Sequence, residues 1–246
     1  MDDPQRSAEH CMVCREPLEY RSEALECSCH FCGRPGETLI ACPAGHYVCD
    51  ACHGAAARDL LPRLAAQTKS TAPEDILEEL FALPKLPMHG PEHHPMAALA
   101  LLTAAARQGV ELPEKALEEA VRRGFQVPGG ACGYLGGCGA GISLGIAVSL
   151  LTGATPVRGP QRALANRAAA RGLDALADKK ARCCKRALRR CVTEGRLFLK
   201  EELGIVLPSP RRRPVCRDVH RNRECPGPAC PFFPDESAQR RKTSAS

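Results

Sequence analysis

The sequence predicts a mainly α protein in which a small N-terminal zinc-binding module precedes an irregular helical bundle. Three observations carry this. Sixteen cysteines fall into two groups of eight, from Cys11 to Cys52 and from Cys132 to Cys230, and the first group has the paired spacing of metal knuckles. Aromatic residues make up only 4% of the chain and Trp is absent, so a core drawn from the 44% hydrophobic residues is built of Ala, Leu, Val and Ile, which favours packed helices over sheets. Beyond residue 55, apolar stretches repeatedly open on proline and close on glycine, the asymmetry of helix ends. A chain of 246 residues is long enough for one or two domains with a substantial core.

In chain order, residues 1–10 read as a disordered leader and 11–54 as a compact cysteine-rich module. Residues 55–208 read as a helical domain with a Gly/Cys-rich centre, and 209–246 as a basic, cysteine-containing, partly disordered tail. Within the helical domain, 55–69 is Ala/Leu-rich and Pro73 opens a short amphipathic helix over 74–83. Three prolines and a glycine make 83–91 an extended, fixed loop. Helices follow over 96–107, from Pro95 to Gly109, and over 114–123, from Pro113 to Gly124. A glycine-rich stretch, 128–141, then leads to an apolar helix over 142–151. The last helices cover 161–176 and 178–203, and Pro208 and Pro210 end the helical body. Strand pairs are expected only in the first module.

The net charge of +6 is concentrated at the C-terminus. From Ile205 onward nine Lys/Arg stand against four Asp/Glu, leaving the rest nearly neutral. A basic tail with Arg211-Arg212-Arg213 is able to touch nucleic acid, but no aromatic platform accompanies it, and a solvated tail is the simpler reading. Residues 124–157 carry no charge, yet their apolar run falls well short of the ~20 residues a membrane span needs, so a buried central helix is expected. The acidic, polar start does not resemble a signal peptide. A cytoplasmic location is therefore expected, with reduced thiols available for metal rather than a disulfide knot.

The first group contains Cys11-x2-Cys14, Cys29-x2-Cys32, Cys42-x3-His46 and Cys49-x2-Cys52. Two ligands on one tight turn suit tetrahedral zinc, and four pairs supply ligands for two ions. The module has too few large apolar residues to fold unaided, so metal would supply much of its stability. A cross-brace, joining pairs one and three and pairs two and four, satisfies the spacing, and so does a sequential arrangement. Cys27 and His30 are spare candidates beside the second pair, and His53 reads as a surface residue.

Two further constellations carry chemistry. His89-Gly90-Pro91-Glu92-His93-His94-Pro95 packs three imidazoles and a carboxylate into a loop before a helix start, and His89, Glu92, His93 and His94 suit metal ligation or proton transfer near neutral pH. The alternative is a solvent-facing loop. In the second cysteine group, Cys132 and Cys138 lie in glycine-rich chain that permits close backbone approach. Cys183, Cys184 and Cys191 lie on a basic helix, where Cys184 and Cys191 share a face. The tail adds Cys216, Cys225 and Cys230, two of them followed by proline, and these three either complete the same centre or bind their own metal. The simplest alternative is buried structural thiols.

Gly137-Cys138-Gly139-Ala140-Gly141, the small-residue helix after it, Asn166 and Cys184-x6-Cys191 resemble the cluster-binding half of the iron–sulfur L-cysteine desulfidase and L-serine dehydratase group. That resemblance implies a [4Fe–4S] cluster with one open iron on Cys138, Cys184 and Cys191. A lysine of that group lies within its x6 stretch, where Lys185 stands here at a different offset. Over most of its length the chain is similar to an uncharacterised prokaryotic family. The similarity rests on residues 42–53, with Gly-His-Tyr-Val-Cys-Asp-x-Cys-His, on His-Gly-Pro-Glu-His-His from His89, and on Arg182-Cys183-Cys184-Lys185-Arg186. Some members of that family are appended to S-adenosylmethionine-dependent methyltransferases, which implies a methyltransferase or other protein partner.

These readings leave three function classes. The first is a sulfur-handling or small-molecule enzyme with an iron–sulfur or metal centre on Cys132, Cys138, Cys183, Cys184 and Cys191. The second is a non-catalytic, zinc-dependent accessory protein, and the third a nucleic-acid-binding regulator. A nucleotide-binding enzyme is disfavoured: Gly139-Ala140-Gly141 lacks the preceding strand and acidic residue of a dinucleotide site.

Overall fold

The computed structural model describes residues 11–14, 16–49, 52, 57–83 and 86–234. The expected leader, His53 and the last twelve residues lie outside this set. Among the described residues, the only sheet is an antiparallel pair, β1 (Glu19–Ser28) and β2 (Pro35–Ala41), and the remaining regular elements are helices. A wide irregularity between Tyr20 and Leu25 interrupts the pairing, and most of both strands is solvent-exposed. β1 runs into Cys29 and β2 into Cys42, so each strand delivers one knuckle.

Helix α1 (Ala57–Gln67) and α2 (Pro73–Leu80) lead through the proline-rich loop to a single 3-10 turn, Pro91–His93. Then come α3 (Met96–Arg107), α4 (Ala116–Gly124), the one-turn α5 (Ala131–Tyr134), α6 (Gly139–Thr152), α7 (Gly159–Asp174) and α8 (Cys184–Leu203). Apolar residues surround α3, so ten of its twelve residues are buried and it forms the hub of the bundle. The uncharged segment supplies α6, also buried along most of its length. None of the described helices is long and apolar enough to cross a membrane.

Small residues fix how closely these helices approach. A Cβ on Gly141 would stand 2.9 Å from the Leu173 backbone nitrogen, and one on Gly172 2.9 Å from the Gly141 Cα, so α6 and α7 touch backbone to backbone. Ser143 Oγ accepts from the Ala98 N–H at 2.8 Å, satisfying one of the orphan donors in the first turn of α3 from a neighbouring helix.

The glycine-rich stretch differs from the expected coil. Helix α6 starts at Gly139, three residues early, because Gly139 and Gly141 are the residues whose missing side chains admit His94 and Leu173. Helix α8 starts six residues late. Cys183 is extended (φ −150°), and its sulfur accepts the Arg186 N–H at 3.4 Å, so it caps the helix rather than continuing it.

The tail does not trail away. After Gly204 ends α8 in the left-handed conformation, residues 205–234 return across α2 and α8. Asp218 reaches Lys185 at 2.5 Å and Arg221 reaches the Leu86 carbonyl at 2.9 Å. Lys185 is 1% exposed, and its ammonium lies 5.3 Å from the centre of the Phe81 ring. On the adjoining turn, Arg189 forks onto Glu78 at 2.6 and 2.8 Å.

Candidate metal centres and a cysteine–histidine cavity

The N-terminal ligands assemble as a cross-brace. Cys11, Cys14, Cys42 and His46 form one quartet, and Cys29, Cys32, Cys49 and Cys52 the other, each with its ligand atoms within 4.8 Å of one another. Sulfur pairs of 3.4 Å (Cys14–Cys42) and 3.7 Å (Cys32–Cys49) are close to the roughly 3.8 Å that 2.3 Å zinc–sulfur bonds impose on a tetrahedron. The geometry and donor sets fit two zinc ions. In each quartet neighbouring donors split the thiols. Burial raises Cys42, but the backbone N–H of His46 and the side chains of Cys14 and His46 outweigh it, leaving a pKa of about 6, while Cys14 is raised to about 11, first by burial and then by Cys42 and Cys11. Cys29 falls to about 7 because N–H groups from Cys49, Phe31 and Cys32 overcome its burial.

Cys27 donates its S–H to the Gly36 carbonyl and stands outside both quartets, as expected of the spare thiol. His30 stacks edge-on against Phe31 and His46 and is in neither quartet. Phe31, fully buried, belongs to the same apolar cluster as Leu60, Leu61 and Leu77, so the second quartet is continuous with the helical core.

A cavity of about 220 Å³ lies where the histidine loop meets the starts of α6 and α8. His89, His93, His94, Cys132, Cys138 and Cys184 line it, together with Arg182 and backbone from Gly90, Gly129 and Gly130. Cys138 is the N-cap of α6 and Cys184 the first residue of α8, so two helix N-termini converge here. Burial raises the Cys138 thiol against the N–H groups of Ala140 and Gly141. Cys184 is pushed to about 11 by burial, with further contributions from Cys138, Cys183 and Cys132.

The imidazoles are held in defined orientations. His94 Nδ1 lies 2.9 Å from the Val127 carbonyl and His93 Nδ1 3.2 Å from the Gly90 carbonyl. Only a protonated Nδ1 bonds to a carbonyl, which leaves each Nε2 as a lone pair. His93 Nε2 is buried with no hydrogen-bond partner. Burial, then the nearby Lys185 charge, lowers the His93 pKa to about 3, so the ring is neutral. Gly139 packs on the His94 ring, where a Cβ would come within 2.2 Å. Glu92 turns away from this lining, and its buried carboxylate covers Gly90.

The five cysteines expected to share one centre are separated. Cys191 is fully buried behind the cavity and donates to the Gly172 carbonyl at 3.6 Å; it is absent from the lining, where the exposed Cys132 takes the third sulfur position. Cys183 faces a second cavity with Cys216, Cys225 and Cys230. The side chains that seat that tail, Lys185 and Asp218, are 33 residues apart with no shared motif, and sequence reading named Lys185 but did not pair it with Asp218. Arg182 had a signal, since it directly precedes the two cysteines.

A mainly helical body with an N-terminal pair of Cys/His quartets defines a metal-binding helical protein. Residues 61–233 match the family of unknown function DUF5714, and the chain belongs to that family. The match covers both helical-domain cavities and leaves the two Cys/His quartets outside. No curated protein and no solved structure matches the chain.

Proposed function

We propose that this protein is a metalloprotein whose cysteine–histidine cavity holds an iron–sulfur centre on Cys132, Cys138 and Cys184 and acts there on a small sulfur-containing or anionic molecule. One observation carries this reading: three thiols from separate elements and three imidazoles meet in a single cavity, two of the imidazoles with Nε2 freed by a backbone carbonyl. A backbone carbonyl holding Nδ1 in this way is the usual companion of histidines that bind metal or move protons through Nε2.

The donor set fits the group. The three sulfurs are not gathered as tightly as the zinc quartets, and a cluster supplies its own bulk between its thiolates. Three cysteines around a four-iron cluster leave one iron open, which supplies Lewis-acid chemistry. The residues do the rest. Arg182 and the two helix N-termini attract a carboxylate or other anion. His94 Nε2 accepts a proton from the bound molecule, and Gly139 holds the ring in place. The two quartets brace the N-terminal segment against this core, and a methyltransferase or other protein is the partner this reading allows, with nucleic acid at the basic tail not favoured.

Anaerobically purified protein tests the reading by iron and sulfide analysis. Cys138→Ala and Cys184→Ala are expected to lose about four irons per chain while keeping about two zincs. His94→Ala is expected to keep the iron and lose the change in its spectrum on adding L-cysteine. Unchanged iron in both cysteine variants would sink the proposal.

A further inference from the structure

A third cavity, about 1,040 Å³, opens between the first quartet, the junction of α1 with α2, and the returning tail. Lys69 follows α1, α2 contributes Asp75, Glu78 and Glu79, and the tail contributes Arg212, Arg213 and Arg217. Lys69, Arg212 and Arg217 are solvent-exposed, so this is an open cleft rather than a void in the core.

Its charges are not all matched with one another. Glu78 takes Arg189, and Asp218 takes Lys185 and Arg221. Among the described residues, the side chains of Lys69, Arg212 and Arg217 make no hydrogen bond or ion pair, and Arg213 reaches a neutral acceptor, the Pro231 carbonyl. Beside these four cations stand three carboxylates that also lack a cation. Glu16 is exposed. Glu79 accepts from Ser70 Oγ at 2.6 Å and Asp75 from the Arg211 backbone N–H at 3.3 Å, each through one oxygen, which leaves the other free to accept. His30 adds a buried Nε2 with no hydrogen-bond partner, an atom that a bound polar group would satisfy.

The occupant must therefore offer anions and hydrogen-bond donors together. An acidic peptide does so: its carboxylates meet the guanidinium groups, and its backbone N–H groups meet the free oxygens of Asp75 and Glu79. Val13, Leu64 and Val215 give the same cleft apolar surface for the side chains between. A phosphodiester chain brings repeated negative charge without amide donors, and the three carboxylates repel it. The volume also lies above the roughly 300–1,000 Å³ of small-molecule sites, which favours an extended segment over a single small anion.

We propose that this cleft binds an extended acidic peptide segment of a partner protein, with Lys69, Arg212, Arg213 and Arg217 holding its carboxylates. The inference rests on the protein partner allowed above and names its chemistry; it does not depend on iron in the first cavity.

Fluorescence anisotropy of a fluorescein-labelled hexaglutamate, titrated with full-length protein purified with zinc, tests it. Binding is expected to saturate and to weaken as salt rises. Arg212→Ala/Arg217→Ala is expected to weaken it about tenfold, and Lys69→Ala about threefold. Lys179→Ala/Lys180→Ala removes the same charge from exposed positions outside the cleft and is expected to change it by under about twofold. Cys138→Ala, the variant that tests iron in the first cavity, is expected to bind the peptide as wild type does, so a failure there leaves this result standing. Absence of saturable binding, equal losses in the two double variants, or an unaffected Lys69→Ala would overturn the proposal. So would displacement by pyrophosphate or single-stranded DNA at lower concentration than by unlabelled hexaglutamate.

Discussion

Lys185 and Asp218 offer a sharp test of how the tail is held. The ammonium is 1% exposed and sits 2.5 Å from the carboxylate, which also binds Arg221 at 2.7 Å. Removing the carboxylate with Asp218→Leu strips a buried cation of its countercharge, which costs about 3–5 kcal/mol. For a body of this size that is a fall of about 10 °C in Tm. Lys185→Met should cost less, because Arg221 still faces the carboxylate. The double variant Lys185→Met/Asp218→Leu replaces the pair by apolar side chains of similar bulk and should recover most of the loss, to within about 1 kcal/mol of wild type. Thermal and urea unfolding followed by far-ultraviolet circular dichroism gives all four corners of the cycle. If Asp218→Leu costs under about 1 kcal/mol, or the double variant is as unstable as the worse single, the pair does not seat the tail as argued.

Three further outcomes follow from other parts of the molecule. Cys11→Ser and Cys42→Ser should each lose the same zinc and spare the other, whereas a sequential arrangement would couple Cys11 with Cys29; metal analysis separates the two. Gly145→Ala should destabilise by about 1–2 kcal/mol despite better helix propensity, because its Cβ would meet the Ala165 carbonyl at 2.9 Å and the Ala169 Cβ at 3.0 Å; urea midpoints measure it. Glu119, bonded to Arg122 and Arg123, has a carboxyl pKa lowered to about 2, so it stabilises the fold above the ordinary glutamate value and that contribution is lost as pH falls toward 2. Carboxyl-carbon NMR should find it titrating well below the other glutamates, and Glu119→Gln should flatten this part of the acid limb, by under about 1 kcal/mol for so exposed a pair.

Much of this architecture is legible in the chain because its signals are local. Proline before and glycine after an apolar stretch place α3 at its observed ends, and three x2 spacings and one x3 spacing pick out all eight residues of the two quartets. The pairing of those ligands is not local. It depends on strands β1 and β2 carrying alternate knuckles to opposite ends of the hairpin, which no spacing encodes. The glycine-rich stretch reads as coil by propensity, yet Gly139 and Gly141 are helical because neighbouring chain occupies the space their side chains would fill. Cys183 and Cys184 defeat a reading by proximity altogether. One is extended and the other helical, so consecutive side chains enter different cavities. The histidine loop was legible as a cluster, but the carbonyls that orient its rings, from Gly90 and Val127, are backbone atoms and leave no mark in the sequence.

The junction between Cys183 and Cys184 makes a single peptide bond the partition between two chambers. A guest that pulled on Cys184 would act one peptide away from Cys183, and the reverse holds equally. Thermodynamic linkage then requires that whatever factor filling one chamber applies to the affinity of the other be returned unchanged in the opposite direction. The first turn of α8 is thus the place where the two cavities adjoin.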